Sequence, residues 1–196
     1  MSLAILHSRA SVGVDAPPVT VEVHLGPGLP GFAIVGLPEK AVQESKDRVR
    51  GALVNTGFDV PQWKVTVNLA PADLPKEGGR FDLPIAIGIL VASGQIDGAR
   101  LGNLELLGEL ALSGALRPVR GTLPAALATH AAGRQLLVPP GNAAEAALVR
   151  DLVVLPATHL LEVCAHLTGA TLLEPCQVLP EPATAIPVPD LAEVLD

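Results

Sequence analysis

The chain has 196 residues, with 13 Lys and Arg against 20 Asp and Glu, a formal charge of −7 and a pI near 5.2. Domains that grip nucleic acid draw affinity from a basic surplus that neutralises phosphates and releases counterions, so this balance opposes tight autonomous DNA binding and leaves it only a local basic face. Hydrophobic residues make up 49% of the chain, yet there are three Phe, one Trp and no Tyr, so the core must be aliphatic and base-stacking platforms are scarce.

Three short strands are predicted at the start. Leu3–His7 is apolar, Val19–Leu25 places Val19, Val21, Val23 and Leu25 on one face, and Phe32–Val35 follows a Gly/Pro turn at Gly26–Gly31. A helix is expected over Pro38–Thr56, with Pro38 in its first turn, Glu39 at the positive dipole end and Gly57 ending it. Its apolar stripe is Ala41, Val42, Val49, Ala52 and Leu53. Lys64–Leu69 alternates as a strand. Asp82 is read as the cap of a helix over Leu83–Ser93, apolar on nearly all sides and therefore central. Leu104–Leu112 and Ala115–Val119 read as a hairpin around Ser113-Gly114. Helix Thr122–Ala132 and strand Gln135–Val138 follow, then helix Asn142–Val149 with strand Leu152–Leu155, and a final helix Thr158–Leu167. Gly133 and Gly169 suit helix ends.

From about Glu174 the texture changes. Pro175, Pro180, Pro182, Pro187 and Pro189 interrupt any periodicity, which divides the chain into a domain over 1–172 and a Pro-rich linker over 173–196. The compact fold is expected to be complete by about Gly169, and the chain is expected to be a piece of a longer protein.

No apolar run reaches the ~18–20 residues a membrane span needs, and the start lacks the regions of a signal peptide. Cys164 and Cys176, the only cysteines, have no CxxC spacing, and His7, His24, His130, His159 and His166 are scattered, so no metal site is expected. Two free thiols fit a cytoplasmic protein. The chain contains no Gly-Lys dipeptide, hence no phosphate-binding GxxxxGK[ST] loop, and neither HExxH nor GxSxG.

The stretch Pro75-Lys76-Glu77-Gly78-Gly79-Arg80-Phe81-Asp82 resembles the Pro-Lys-Asp-Gly-Pro-Ser-Ala-Gly active-site loop of the Lon-type serine–lysine proteases. Arg80 stands where that family carries its nucleophile, and a guanidinium that stays protonated cannot fill the role. Gly108-Glu109-Leu110, followed by Pro118, resembles the stretch leading to the family's catalytic lysine, which places that position on Leu123. The dyad needs an amine to take the hydroxyl proton, and leucine has none. A displaced dyad from Ser45-Lys46 or Ser113 is opposed by geometry, because adjacent helical residues point in different directions.

Met1-Ser2-Leu3-Ala4, the run Gly31-Phe32-Ala33-Ile34-Val35-Gly36-Leu37-Pro38-Glu39, Asp47-Arg48-Val49-Arg50, NLAPADLPKEGGRFDLPIAI from Asn68 to Ile87 and Gly108-Glu109-Leu110 closely resemble the N-terminal domain of magnesium-chelatase-like ATPases of the ComM/YifB type. The resemblance covers roughly residues 1–170. It implies an α+β fold of the Lon C-terminal-domain type, a mixed sheet packed with helices related to the second domain of ribosomal small-subunit protein five. It also implies a place ahead of an AAA+ motor, a hexameric helicase that uses ATP and Mg2+ and, in ComM members, drives branch migration of DNA during natural transformation.

Two basic features remain as candidate contacts. Lys76 and Arg80 beside Gly78-Gly79 could hold an anion such as a DNA phosphate or an acidic partner surface; alternatively the glycines only permit a turn while Arg80 pairs with Asp82 or Glu77. Lys46 and Arg50, four apart, share a helix face and could touch DNA or a neighbouring subunit, although Glu44 and Asp47 dilute that face. Three functions compete: a non-catalytic domain of a DNA-remodelling AAA+ hexamer, a scaffold of a magnesium-chelatase-like motor with a non-DNA client, and a Lon-type peptidase, which the missing dyad opposes. No cofactor is expected in this fragment, and its own DNA affinity is expected to be weak.

Overall fold

A computed structural model of the chain describes residues 2–176. Alternation organises its first half. In β1 (Ser2–Arg9) Ala4 and Leu6 are buried while Leu3 and Ile5 are exposed. In β2 (Pro18–Gly26) Val19, Val21, Val23 and Leu25 face inward. A one-residue slip would turn each set outward, so pairing register follows from the pattern. Leu6 lies opposite Val21, and Val21 opposite Leu69 of β4 (Lys64–Ala70), all on the buried face. The parallel strand β3 (Gly31–Val35) forms the edge.

Against this face lies α3 (Asp82–Ala92), in which every residue except Val91 is buried. A helix apolar on all sides must be central, as expected. Gly88 brings it close: a β-carbon there would stand 2.5 Å from Val23 and 2.9 Å from Leu6. The predicted helix over Pro38–Thr56 divides at Glu44 into α1 (Lys40–Gln43) and α2 (Ser45–Asn55). Pro38 is not in a helical turn. It bridges Lys76, and Glu39 N–H donates to the Lys76 carbonyl at 3.1 Å, so pairing to the loop after β4 holds this segment extended.

The predicted hairpin around Ser113-Gly114 is present, but only two residues long on each side. Leu104–Leu112 is not one strand: β5 (Leu104–Leu106) joins the main sheet between β1 and β8 (Gln135–Val138), while β6 (Glu109–Leu110) pairs with β7 (Leu116–Arg117) in a separate ribbon. The chain leaves the sheet at Leu107 and Gly108, whose N–H groups donate to Leu137 and Arg80 carbonyls. Helix α4 (Thr122–Ala131) precedes β8. Helix α5 (Pro140–Ala146), strand β9 (Val154–Pro156) and α6 (Leu160–Thr168) follow it, each shifted by a few residues from expectation. The last helix starts late because His159 caps it, its Nδ1 accepting from Leu161 N–H at 3.2 Å.

The sheet order is β3-β4-β2-β1-β5-β8-β9, with antiparallel pairs only at β4-β2 and β2-β1. This is a mixed α+β fold with a mostly parallel sheet packed with helices. Helices cover both faces of its β5-β8-β9 end. One apolar cluster unites α2, α3 and α6 with the sheet, and a second gathers α4 and α5 over Leu136, Val138 and Val154. No helix among the described residues is long and apolar enough to cross a membrane.

Beyond Gly169, where the fold was expected to end, two contacts continue. Leu173 N–H donates to His166 Nδ1, and Cys176 N–H donates to the Val154 carbonyl at 2.8 Å. Their side chains pack on the two clusters. The rest of the expected linker lies outside the described residues.

Gly36 offers a direct check of the β3–β4 edge. It has φ of +97°, and a β-carbon would fall 2.1 Å from the Leu69 carbonyl oxygen, a backbone atom that cannot step aside. Gly57 has φ of +82° with open space around it. Gly36→Ala is expected to cost about 3 kcal/mol or more and Gly57→Ala about 1 kcal/mol, read as urea midpoints at unchanged m-value. Equal shifts would contradict the close approach.

Candidate functional site

Between β4 and α3 the chain makes a tight loop over Pro71–Phe81 that begins at the cis Ala70–Pro71 bond. Lys76 is fully buried in it, its Nζ donating to the Pro71 carbonyl, and burial pushes its pKa below the ordinary value against the pull of Asp73. Gly78 takes the left-handed φ of +68°. Gly79 touches Glu109 so closely that a β-carbon would lie 2.5 Å from the carboxylate. These two residues swing Arg80 under the end of β1.

Arg80 is 5% exposed. Its Nη1 donates to the Arg9 carbonyl at 3.3 Å and its Nη2 to the Arg120 carbonyl, so it ties β1 to the turn before α4. It forms no pair with Asp82 or Glu77, contrary to the internal ion pair suggested by spacing. Asp82 is already taken. Burial lowers the Arg80 pKa, with Glu77 opposing from a distance. In front of Arg80 opens a cleft of about 450 Å3, bordered by Ser11, Glu77, Gly78, Glu109, Val119 and Arg120 among others.

The second dyad position is elsewhere. Leu123 lies in the first turn of α4, packs on the second apolar cluster, donates its N–H to Glu145 Oε1 at 2.9 Å and does not border the cleft. Lys46 and Arg50 do come together, as expected for one helix face. They border a separate groove of about 200 Å3 with Phe32, Pro61 and Gln62, and Asp47 sits among them. The four candidate cations therefore divide into a buried Lys76, a cleft-bordering Arg80 and a distant Lys46–Arg50 pair. Among the described residues, no group of three His, Cys, Asp or Glu is placed to hold a metal ion.

Two buried ionic networks frame the cleft, and reading by spacing missed both. Asp82 is fully buried; it does not cap α3 but accepts from Arg48 Nε at 2.6 Å, Arg48 Nη2 at 3.0 Å, Ser45 Oγ and Leu110 N–H at 3.2 Å. Burial pushes its carboxyl above the ordinary value, with Arg48 and Ser45 opposing, while the same contact raises Arg48. The available signal was that Ser45 and Arg48 fall beside the apolar stripe of α2, where a polar pair must find a buried partner. Glu105, the one charge in an apolar strand, accepts Arg9 Nε at 2.6 Å, Arg9 Nη2 at 2.8 Å, Thr129 Oγ1 at 2.6 Å and Arg134 Nη1 at 3.2 Å. Burial alone would raise it; Arg9, Thr129 and Arg134 together hold it below the ordinary value.

The family model described as subunit ChlI of Mg-chelatase matches residues 21–142, which include the Arg80 loop, α3 and every residue bordering the cleft except Ser11. The chain belongs to this family. It is 59% identical over 169 residues to competence protein ComM of Haemophilus influenzae, covering 86% of this chain and 33% of that protein. It is 54% identical over 174 residues to the uncharacterized protein YifB of Salmonella typhimurium, covering 89% of this chain and 34% of that protein. With Escherichia coli YifB the figures are 52% over 186 residues, 95% and 36%. The ChlI-family chain thus spans about a third of the length of these ComM and YifB relatives.

Removing one partner of a buried ion pair leaves the other charge stranded. Asp82→Ala is expected to cost about 3 kcal/mol. The double change Asp82→Leu with Arg48→Met should cost less than the sum of its single changes, read from denaturant midpoints. Acid should also destabilise the fold. Burial lowers the pKa of His7 and His166 from 6.5, so the unfolded chain takes up protons first and stability falls as pH drops through that value. Glu105, held below 4.5, adds a further loss at lower pH, and the raised Asp82 offsets part of it. Between pH 7 and 5 the melting temperature should fall, and His7→Gln with His166→Gln should flatten that slope.

Proposed function

We propose that this chain is a non-catalytic, Lon-like N-terminal domain of a hexameric magnesium-chelatase-like AAA+ ATPase that remodels DNA in the cytoplasm. ATP and Mg2+ would be used by the remainder of the longer protein. The observation that carries the non-catalytic reading is the state of Arg80. Where acyl-transfer chemistry would need a nucleophile, the cleft has a guanidinium held by two carbonyls. The nearby amine is spent on Pro71, and Leu123 packs in another cluster. Ser11 borders the cleft, but neither Lys76 nor a histidine borders it with Ser11 to take its proton.

The similarity to a protein named for competence, together with the branch migration that the ComM/YifB resemblance implies, favours DNA as the client. The charge of −7 favours a part in subunit contacts over a grip on DNA by this domain itself. A scaffold for a motor with a non-DNA client is the second reading, supported by the same charge.

The test uses the protein at both lengths. The 196-residue chain is expected to turn over neither peptides nor ATP, whereas the full-length protein should hydrolyse ATP with Mg2+ and migrate a DNA branch point. Peptide turnover by the short chain that survives further purification would refute the first half. ATPase activity without any effect on branched DNA would favour the non-DNA client. DNA binding by the short chain should be weak and should fade as salt rises to physiological ionic strength. Lys46→Ala with Arg50→Ala should reduce its low-salt component without altering the melting temperature.

A further inference from the structure

The fold buries two arginines, Arg9 and Arg80, to almost the same degree, 6% and 5% exposed, and treats them differently. Arg9 meets a carboxylate face to face, with Nε and Nη2 on the two oxygens of Glu105. Arg80 has two carbonyl oxygens, which carry no net charge, and among the described residues it makes no ion pair. A buried guanidinium recovers its lost hydration through a carboxylate or phosphate in the plane of its donors. What Arg80 borders instead is the 450 Å3 cleft.

We propose that this cleft is a receptor for a single protein carboxylate, either an Asp or Glu side chain or a chain terminus, presented by a partner peptide segment to Arg80. Three features choose a protein carboxylate over a polyanion. The cleft's own charges balance, Arg80 and Arg120 against Glu77 and Glu109, so a run of phosphates would meet two carboxylates for every two cations. Its volume suits a few residues of peptide and not a duplex. Pro118 and Val119 give its border an apolar surface against which a peptide backbone can lie. The assignment is independent of whether the longer protein acts on DNA.

The experiment titrates the isotope-labelled 196-residue chain and follows the Gly78, Gly79 and Arg80 amides and the Arg80 Nε–H by NMR. The probes are acetyl-Ala-Ala-Ala with a free C-terminus, acetyl-Ala-Asp-Ala-amide, acetyl-Ala-Ala-Ala-amide, inorganic phosphate and a single-stranded oligonucleotide. The first two distinguish a chain terminus from a side chain as the source. At least one carboxylate peptide is expected to bind about tenfold or more tighter than the uncharged amide, the phosphate and the oligonucleotide, with shifts centred on Arg80.

Arg80→Gln tests the contact but removes a tie between β1 and the α4 turn. Ser11→Trp is therefore the second variant: Ser11 is partly exposed in the β1–β2 loop and borders the cleft without bonding Arg80, so a larger side chain there fills the cleft, and an unchanged Arg80 Nε–H resonance in the unliganded variant checks that the guanidinium keeps its place. It should keep its melting temperature and lose binding by tenfold or more. Equal binding of the uncharged peptide, tighter binding of phosphate or oligonucleotide, no Arg80 shift with any peptide, or undiminished binding by Ser11→Trp would each overturn the proposal.

Discussion

Asp82 is a carboxyl group buried away from bulk solvent, and the arrangement that makes this tolerable also sets the geometry of the cleft. Its two oxygens collect Arg48 and Ser45 from α2 and the Leu110 amide from β6. Two segments remote in sequence are thereby held around the first turn of α3. A buried charge of this kind contributes little net stability compared with apolar packing, but any arrangement that separates the partners strands a charge, so it selects one packing over others. Because Arg80 lies two residues ahead of Asp82, the position of the guanidinium under β1 is inherited from this junction. The Gly108 carbonyl accepting from Leu83 N–H, with Gly108 N–H donating to the Arg80 carbonyl, closes the same corner from the other side.

The Glu105 network does the corresponding work across the sheet. It draws Arg9 from β1, Thr129 from α4 and Arg134 from the turn before β8 onto one carboxylate. Since the Arg9 carbonyl accepts from Arg80, the two networks meet at the end of β1. The cleft is therefore walled by rigid, cross-linked segments on that side and by the Gly78-Gly79 turn on the other. A guanidinium held this way has its position fixed before anything enters the cleft.

Much of the scaffold was legible in the order of residues. Val19, Val21, Val23 and Leu25, and again Val65, Val67 and Leu69, alternate because one face of each strand is buried, and period-two patterning survives any tertiary context that keeps one face dry. The unbroken apolar run of α3 announced a central helix for the same reason. The boundaries that failed were those decided by partners. Pro38 looked like a helix start until Lys76 paired with it, and Leu104–Leu112 looked continuous until Leu137 and Arg80 drew Leu107 and Gly108 out of line.

By itself, then, the sequence determined the strand faces, the central helix, the aliphatic core, the absence of a phosphate loop in this stretch and, through matching motifs, the family. Those properties depend on local periodicity or on residue identity alone. Only the tertiary structure decided which charges meet. Arg80 has Glu77 and Asp82 within three residues, yet it bonds the carbonyls of Arg9 and Arg120, while Asp82 reaches back to Arg48. Proximity along a chain costs little to satisfy in an open loop. In a desolvated corner the strongest available geometry prevails, and here that meant bidentate contact between Arg48 and Asp82 across two packed helices.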